Sequence, residues 1–340
     1  MSAKRRPAKR RPSRDDAPAL APEWRRWVAE NLVQGAKPEV VIEALIGQGV
    51  PQKEARARVE ETLASPLFAI AAAATRRWRR YAQVLRLHAE QHATRARPEA
   101  VERVERLDGE AFFERYYATN TPVVLPDLMD GWAARKWTPS AFAARFGDVE
   151  VGVCEGRDGD ADYDMHAAAL SGTTTMAALI ARIEATEASN DFYMIARNRN
   201  LEGPLRALLD DVGDTRGILD RDRLVGGCQL WVGPAGTVTP FHHDTSNILF
   251  CQLYGRKRFL LAPPVERRLL DAPRAMYATI DPGDPESGLA LRAVELGPGD
   301  ALFLPVGWWH HVRALDTSIS VAFVAFTRDN DRRWYTPGKL

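Results

Sequence analysis

Two short segments hold most of the chemistry this chain could perform: Thr239-Pro-Phe-His-His-Asp244 and, later, Gly307-Trp-Trp-His-His311. Of seven histidines in the chain, four stand in these two pairs, so their clustering does not follow from composition. His242 and Asp244 stand two apart. On an extended strand, side chains at i and i+2 leave the same face. Both can therefore point into a barrel while His243 points away. Asp244 offers a hard anionic oxygen and His242 an imidazole nitrogen. The third ligand should come from the His310-His311 pair, which does not by itself say which ring faces inward. Two histidines and one carboxylate on one face of an octahedron leave open positions for a cosubstrate and oxygen. That arrangement suits non-haem Fe(II) better than a closed structural zinc site.

The elements that must position these groups are mostly short β-type runs. Pro122–Leu125, Val149–Val153, Phe192–Ile195, Cys228–Val232, Ile248–Leu253, Arg258–Leu261, Ala301–Leu304 and Ile319–Phe326 are separated by Gly, Pro and Asp. Many short strands with turn-forming links predict a sandwich or barrel. Helical stretches interrupt them near Pro139–Phe146 and Thr174–Thr186. There is no Gly-rich phosphate loop and no internal repeat.

The earlier part of the chain has a different texture. Residues 1–21 are dominated by Pro, Ala, Lys and Arg, with seven Lys or Arg in the first fourteen residues and no acid there. They are expected to be a disordered basic tail, solubilising or, alternatively, an arm for nucleic acid or the ribosome. Residues 22–92 have apolar positions at helical spacing, with Gly35 and Gly49 between the runs, and predict a helical domain. His88 and His92 stand four apart on its last helix with no acidic or cysteine ligand at a useful spacing, and read as a solvated face. Residues 93–108 are charged and are expected to be a linker, 109–330 the β domain, and 331–340 a C-terminal tail.

The bulk numbers agree with a folded, soluble chain. Hydrophobic residues make up 45% of 340, enough for a core, and a net charge of +1 argues against a uniformly charged binding surface. Three cysteines, Cys154, Cys228 and Cys251, have no spacing suited to a disulfide framework or zinc site. A reducing cytoplasmic location is expected from them. No apolar stretch is long enough to span a bilayer, and the basic N-terminus has no apolar segment behind it, so neither membrane nor secretion is expected.

The run TPFHHDTSNILFCQLYGRKRFLLAPP (Thr239 to Pro264), together with GDALFLPVGWWHHV, resembles the JmjC/cupin-like family of Fe(II)- and 2-oxoglutarate-dependent oxygenases. Phe113-Glu-Arg-Tyr-Tyr, Pro122–Leu125, Gly131-Trp132, Trp137-Thr-Pro139 and Phe146-Gly-Asp148 resemble the family's opening, so the likeness covers roughly residues 108–328. It is strongest toward the branch of the asparaginyl hydroxylase that inhibits hypoxia-inducible factor, and toward bacterial cupin-like relatives. The resemblance implies a mainly β fold, a double-stranded β-helix (jelly roll) with flanking helices, behind the N-terminal helical domain. It implies His242, Asp244 and His310 as iron ligands, with His311 outside. It also implies Lys257, Thr239 and Tyr193 as the groups that bind 2-oxoglutarate, Lys257 pairing with the distal carboxylate. Two positions depart from the family pattern: Ile248 and Ala322 stand where the branch often has asparagine. Asn247 is one residue early and should face the other way.

By the same resemblance, Fe(II), 2-oxoglutarate and O2 would together hydroxylate an unactivated C–H and release succinate and CO2, with the protein placing that C–H and excluding water. The expected substrate is a peptide or protein side chain. A hydroxylase of a free amino acid or small metabolite is one alternative; a metal-binding cupin-like module without turnover is another, and histone demethylation is the weakest reading. Gln229 and Trp231 alternate on the strand before the His-x-Asp segment and are candidate substrate contacts, with sheet packing as the competing role. Asp162, Tyr163 and Asp164 lie in a polar loop that lines the entrance or is plain surface. A homodimer and contact of the basic tail with nucleic acid or the ribosome are open alternatives for further partners.

Overall fold

Apolar residues at helical spacing bury together early in the chain, and alternating or continuous apolar runs bury together after it. A computed structural model describes residues 22–93, 100–266, 268–269, 273–274 and 276–330. The expected tails, 1–21 and 331–340, lie outside the described residues. The chain divides into two units between His88 and Ala89.

The first unit is built from α1 (Pro22–Val33), α2 (Pro38–Gly47), α3 (Gln52–Ala64) and all but the last residues of α4 (Pro66–Ala93). Val28 and Leu32, Val41 and Leu45, and Ala55 and Val59 each recur four residues apart, so each pair falls on one helical face; together they form the unit's small core. Gly35 and Gly49 follow α1 and α2 with φ of +87° and +89°, the left-handed geometry that stops a helix at little cost for glycine. His88 is exposed, as its reading as a solvated face anticipates.

The second unit holds the remaining elements. In chain order they are β1 (Glu102–Arg103), α5 (Gly109–Phe112), β2 (Val123–Leu125), α6 (Pro139–Phe146), β3 (Glu150–Glu155), β4 (Ser171–Thr175), α7 (Met176–Glu184), β5 (Phe192–Tyr193), β6 (Cys228–Gly233), β7 (Val238–His243) and β8 (Ile248–Tyr254). Then follow β9 (Lys257–Ala262), β10 (Pro273–Arg274), β11 (Tyr277–Ala278), β12 (Arg292–Leu296), β13 (Ala301–Leu304), β14 (Trp309–Ala314) and β15 (Ser318–Phe323). Thr138 and Thr175 cap α6 and α7 by accepting from the amides of Ala141 and Ala178. Residues 101–107 are more than linker. Glu102 and Arg103 pair in parallel with β2, and Val101 and Leu107 are buried. Glu102 and Arg103, two of the charged residues that suggest a linker, are the exposed residues of that edge strand.

Two six-stranded sheets face each other, in orders β1-β2-β13-β8-β15-β6 and β10-β11-β7-β14-β9-β12, and a three-stranded sheet β4-β3-β5 stands beside them. This is the double-stranded β-helix. Val124, Phe250, Leu302 and Leu304 of the first sheet meet Phe259, Leu261, Leu296 and Val312 of the second in the core between the sheets. The first sheet is buried on its other face too. Leu249, Cys251, Phe303, Val321 and Phe323 pack there with Phe112, Phe142 and Leu179 of the helices. Burial on both faces explains why β8, β13 and β15 read as continuous apolar runs rather than alternating ones.

Candidate metal and cosubstrate site

The site lies between the sheets, where β7 and β14 run antiparallel. Their register sets His310 opposite His242 and Trp309 opposite His243. Alternation along each strand then sends His242 and His310 inward and His243 and Trp309 outward. Inside, the two imidazole rings stand 4.1 Å apart between centroids. Outside, the His243 ring packs edge-on against Trp309 at 4.7 Å. His310 is therefore the inward member of its pair.

One irregularity matters. Between Thr239 and His242 on β7 there are three steps, but between their partners Val312 and His310 on β14 there are two. The extra residue is a bulge at Pro240–Phe241. Proline has no amide to give to the ladder, so a bulge is where it fits within a sheet. The bulge lets Thr239 and His242 both line the cavity although they are three apart, while Phe241 is buried on the outer face with Trp309.

His242, Asp244 and His310 offer ligand atoms that all lie within 4.8 Å of one another. Asp244 Oδ2 is 3.4 Å from His310 Nε2 and 3.9 Å from His242 Nε2. Each histidine is oriented by a backbone carbonyl two residues upstream. His242 Nδ1 is 2.7 Å from Pro240 O, and His310 Nδ1 is 3.0 Å from Trp308 O. Only a protonated Nδ1 can donate there, which leaves both Nε2 lone pairs aimed at the shared point beside Asp244. Burial, and then the neighbouring His310, push the His242 ring down to about 4. Burial alone would raise Asp244, but the close contact with His310 and the other adjacent histidine rings more than offsets it and holds the carboxyl at about 2. A neutral His242 beside an ionised carboxylate is the protonation state metal binding requires.

The same cavity, about 230 Å³, is lined by Tyr193, Gln229, Trp231, Thr239 and Lys257 together with the three candidate ligands. Every residue singled out in the sequence for metal, cosubstrate or substrate thus reaches one space. Lys257 is 1% exposed. Its Nζ donates to the Tyr193 hydroxyl at 2.8 Å, and among the described residues it makes no ion pair. Desolvation pushes its ammonium down to about 7, and burial likewise pushes the Tyr193 phenol up. A buried amine without an anion is costly unless something negative comes to it. Arg157 lies behind Tyr193, its guanidinium 5.2 Å from that ring and 4.3 Å from the Tyr163 ring.

Gln229 and Trp231 face the cavity because β6 alternates: Cys228, Leu230 and Val232 pack into the helical side of the first sheet. Ile248 also lines the cavity, whereas Ala322 is wholly buried in the core between the sheets. Asn247 faces away, as alternation predicts. Its Oδ1 accepts from the Val306 amide at 2.9 Å and its Nδ2 donates to Asn330 Oδ1 at 2.9 Å. It thereby braces the turn that leads to His310. Trp308 is fully buried and donates from Nε1 to Asn120 Oδ1 at 2.8 Å, so it is scaffold.

Sequence reasoning missed Tyr277. It pairs across from His242 on β11 and lays its ring along the His242 ring, 5.6 Å away at 29°. Its hydroxyl donates to Asp164. An isolated tyrosine in a segment without alternation carries no local signal. Asp164 itself lies in the loop singled out in the sequence, and of its three named residues Asp164 lines the cavity.

Comparison with known proteins agrees with this geometry. Residues 109–326 match the cupin-like domain family. Lysine-specific demethylase JMJ30 of Arabidopsis thaliana is 30% identical over 249 residues, 65% of this chain and 54% of that protein. Lysine-specific demethylase 8 of Xenopus tropicalis is 28% identical over 234 residues, 63% of this chain and 50% of that protein. The bifunctional peptidase and (3S)-lysyl hydroxylase JMJD7 of Homo sapiens is 24% identical over 257 residues, 62% of this chain and 79% of that protein. The chain spans about half the length of the two demethylases. On the matched domain, the facing six-stranded sheets and the His-Asp-His cluster between them, the chain belongs to the JmjC/cupin-like family.

Proposed function

We propose that the protein is an Fe(II)- and 2-oxoglutarate-dependent oxygenase that hydroxylates a C–H bond on a peptide or protein side chain. One observation carries the reading. A cluster of three metal-ligating atoms and a buried lysine that makes no ion pair among the described residues share a single cavity. The donor set fits an iron of this class: two neutral-type imidazole nitrogens and one carboxylate, all on one side. His242, Asp244 and His310 would hold the metal. Lys257, with Tyr193 and Thr239 beside it, would take the distal carboxylate of the 2-oxo acid. Bound there, iron and cosubstrate supply the oxidising chemistry.

The chain's own residues do the rest. Pro240 O and Trp308 O keep the ligand rings in the metal-binding tautomer. Tyr193 holds the Lys257 amine in place for an acid. Apolar walls from Trp231, Ile248, Leu304 and Val312 exclude water from the space where a substrate C–H would lie. A side-chain substrate is favoured by the relatives, whose names are those of lysine-specific demethylases and a (3S)-lysyl hydroxylase. The three unpaired, buried cysteines support a reducing, cytoplasmic setting.

The test is an anaerobic titration followed by turnover. Protein with Fe(II) and 2-oxoglutarate should show a weak visible charge-transfer band. On admitting air and cell extract it should form succinate and add one oxygen to extract proteins, read by mass spectrometry against His242→Ala. Oxygen added only to the small-molecule fraction would replace this reading with a metabolite hydroxylase. No band and no succinate would leave a binding module.

A further inference from the structure

Helix α4 carries more apolar surface than its own unit buries. Of eleven exposed large hydrophobic residues among the described ones, six stand on it: Leu67, Ile70, Trp78, Tyr81, Val84 and Leu87. Leu67 is 78% exposed and Ile70 67%, so the exposure is concentrated on one element rather than scattered. Leu67, Ile70, Ala74, Trp78, Tyr81 and Leu85 recur in steps of three and four. At about 100° per residue they share one stripe roughly 80° wide and about 27 Å long. A different face folds the unit. Phe68 packs on its core and Ala72 is buried, and both lie more than about 100° round the helix from the middle of the stripe. At Leu67 the stripe meets a crevice of about 410 Å³ lined also by Val28, Val33 and Phe68.

Charge follows the same geometry. The helix has five arginines, Arg76, Arg77, Arg79, Arg80 and Arg86, and its single acid, Glu90, comes after the stripe. Arg79 donates to Gln34 O and Oε1, tying α4 to the segment that follows α1. The other four are exposed. Arg77 stands at one margin of the stripe, and Arg80 and Arg86 lie roughly 120° from its middle on either side. Arginine stems run along apolar surface while their heads stay at a polar boundary. An apolar stripe with Trp and Tyr, edged by arginine, suits a helix lying in a lipid–water interface. Among the described residues no helix is long and apolar enough to cross a membrane, which bears on spanning a bilayer and not on lying along one.

The arginines select among occupants. A second copy seated along the stripe would set one Arg76–Arg80 run against the other in either direction, because the run lies near the stripe's middle. A nucleic acid would satisfy the arginines and leave the stripe in water. An anionic phospholipid surface takes both. The first fourteen residues of the chain add seven Lys or Arg of the same sign. We propose that α4 is a membrane-surface helix that seats its Leu67–Leu85 stripe in an anionic phospholipid bilayer, with Arg77, Arg80 and Arg86 on the headgroups. The proposal is independent of the oxygenase reading.

Full-length protein is sedimented with vesicles of phosphatidylcholine, alone or with about one third phosphatidylserine. Partitioning should favour the anionic vesicles by roughly a hundredfold. Arg77→Gln, Arg80→Gln and Arg86→Gln together should remove most of that preference, at about fivefold each. Ile70→Ser with Tyr81→Ser leaves every charge in place and should lower partitioning roughly tenfold or more. Both residues are exposed, so the melting temperature of this double variant should match wild type. Absence of binding, or equal binding to neutral and anionic vesicles, overturns the proposal. So does a double variant that binds like wild type, which assigns the contact to charge alone, as for a nucleic acid. Self-association in light scattering that the double variant abolishes assigns the stripe to a second copy instead. A lowered melting temperature shows that the stripe is already covered within the chain, and overturns it as well.

Discussion

Lys257 gives the sharpest prediction, because its burial sets a pH dependence whose size can be worked out. Without a ligand its ammonium titrates at about 7. An incoming carboxylate pairs with the charged form only, and once paired the amine stays protonated well above that pH. Affinity for 2-oxoglutarate therefore follows the charged fraction of the free lysine. That fraction falls from about three quarters at pH 6.5 to about 3% at pH 8.5, a loss of roughly 25-fold or about 1.9 kcal/mol. Titration calorimetry on the Zn(II) protein, in two buffers of different ionisation enthalpy, should show uptake approaching one proton at pH 8.5. Lys257→Arg keeps its charge across the range and should flatten both the affinity profile and the proton uptake. A wild-type affinity that does not change between these pH values, with no proton uptake, would refute the reasoning. The folded state has its own signature. The lysine binds its proton less readily folded than unfolded, so the unfolded chain holds more protons between about pH 7 and 10.4. Stability of the ligand-free protein should accordingly rise with pH through that window, with the burial penalty fully present below 7. Replacing the buried amine by methionine should stabilise the fold by about 1–3 kcal/mol while abolishing 2-oxoglutarate binding. A lower melting temperature for Lys257→Met would show that the amine is already compensated.

Three further outcomes follow from the geometry. His242→Ala removes one of three ligands and should lower bound iron, measured by metal analysis after dialysis, to near background, while circular dichroism stays unchanged. Gly233→Ala places a methyl 2.5 Å from Tyr193 Cδ2 and 3.2 Å from Thr237 Cγ2; by moving Tyr193 it should weaken 2-oxoglutarate binding about tenfold, with metal content unchanged. Asn247→Ala breaks the brace to Val306 and Asn330 and should cost about 2–3 kcal/mol in urea unfolding, with a smaller loss of metal affinity because the turn before His310 loosens.

Most of the site was legible because most of it is local. His242 and Asp244 need only strand alternation, and Gln229 and Trp231 need the same on β6. The helical stretches were legible because α6 and α7 carry capping threonines and regular apolar spacing. What escaped depended on pairing across the chain. The edge strand at Glu102–Arg103 is too short and charged to show alternation, and it exists only because Val123 and Val124 offer it a partner. β4, Ser171-Gly-Thr-Thr-Thr175, has no apolar alternation and is defined by its register with β3. Tyr277 acquires its place from the pairing of β11 with His242. None of these contacts leaves a periodic trace in its own segment.

The two metal-binding histidines also divide their requirements between local and distant structure. Ring orientation is local: each imidazole donates to the carbonyl two residues before its own position, so Pro240 and Trp308 fix the tautomers within single strands. Distance is non-local: the β7–β14 register alone brings His242 and His310 to the same depth. The bulge joins the two. It absorbs one residue of β7 at the proline that also supplies the orienting carbonyl, and it restores Thr239 to the inward face that three steps of plain alternation would deny it. Metal ligand and cosubstrate hydroxyl can then stand three apart in sequence and still share one cavity. Removing that extra residue by deleting Pro240 leaves Thr239 two positions before the ligand and inward by simple alternation, but exchanges the bulged carbonyl that orients the His242 ring for the Thr239 carbonyl in plain strand geometry. If the bulge serves orientation more than facing, the deletion should lower metal affinity roughly ten- to a hundredfold, the usual effect of losing a group that positions a ligand. Pro240→Ala, which keeps the carbonyl, should stay close to wild type in the same metal titration. Equal losses in both variants would place the effect in the fold of the strand instead.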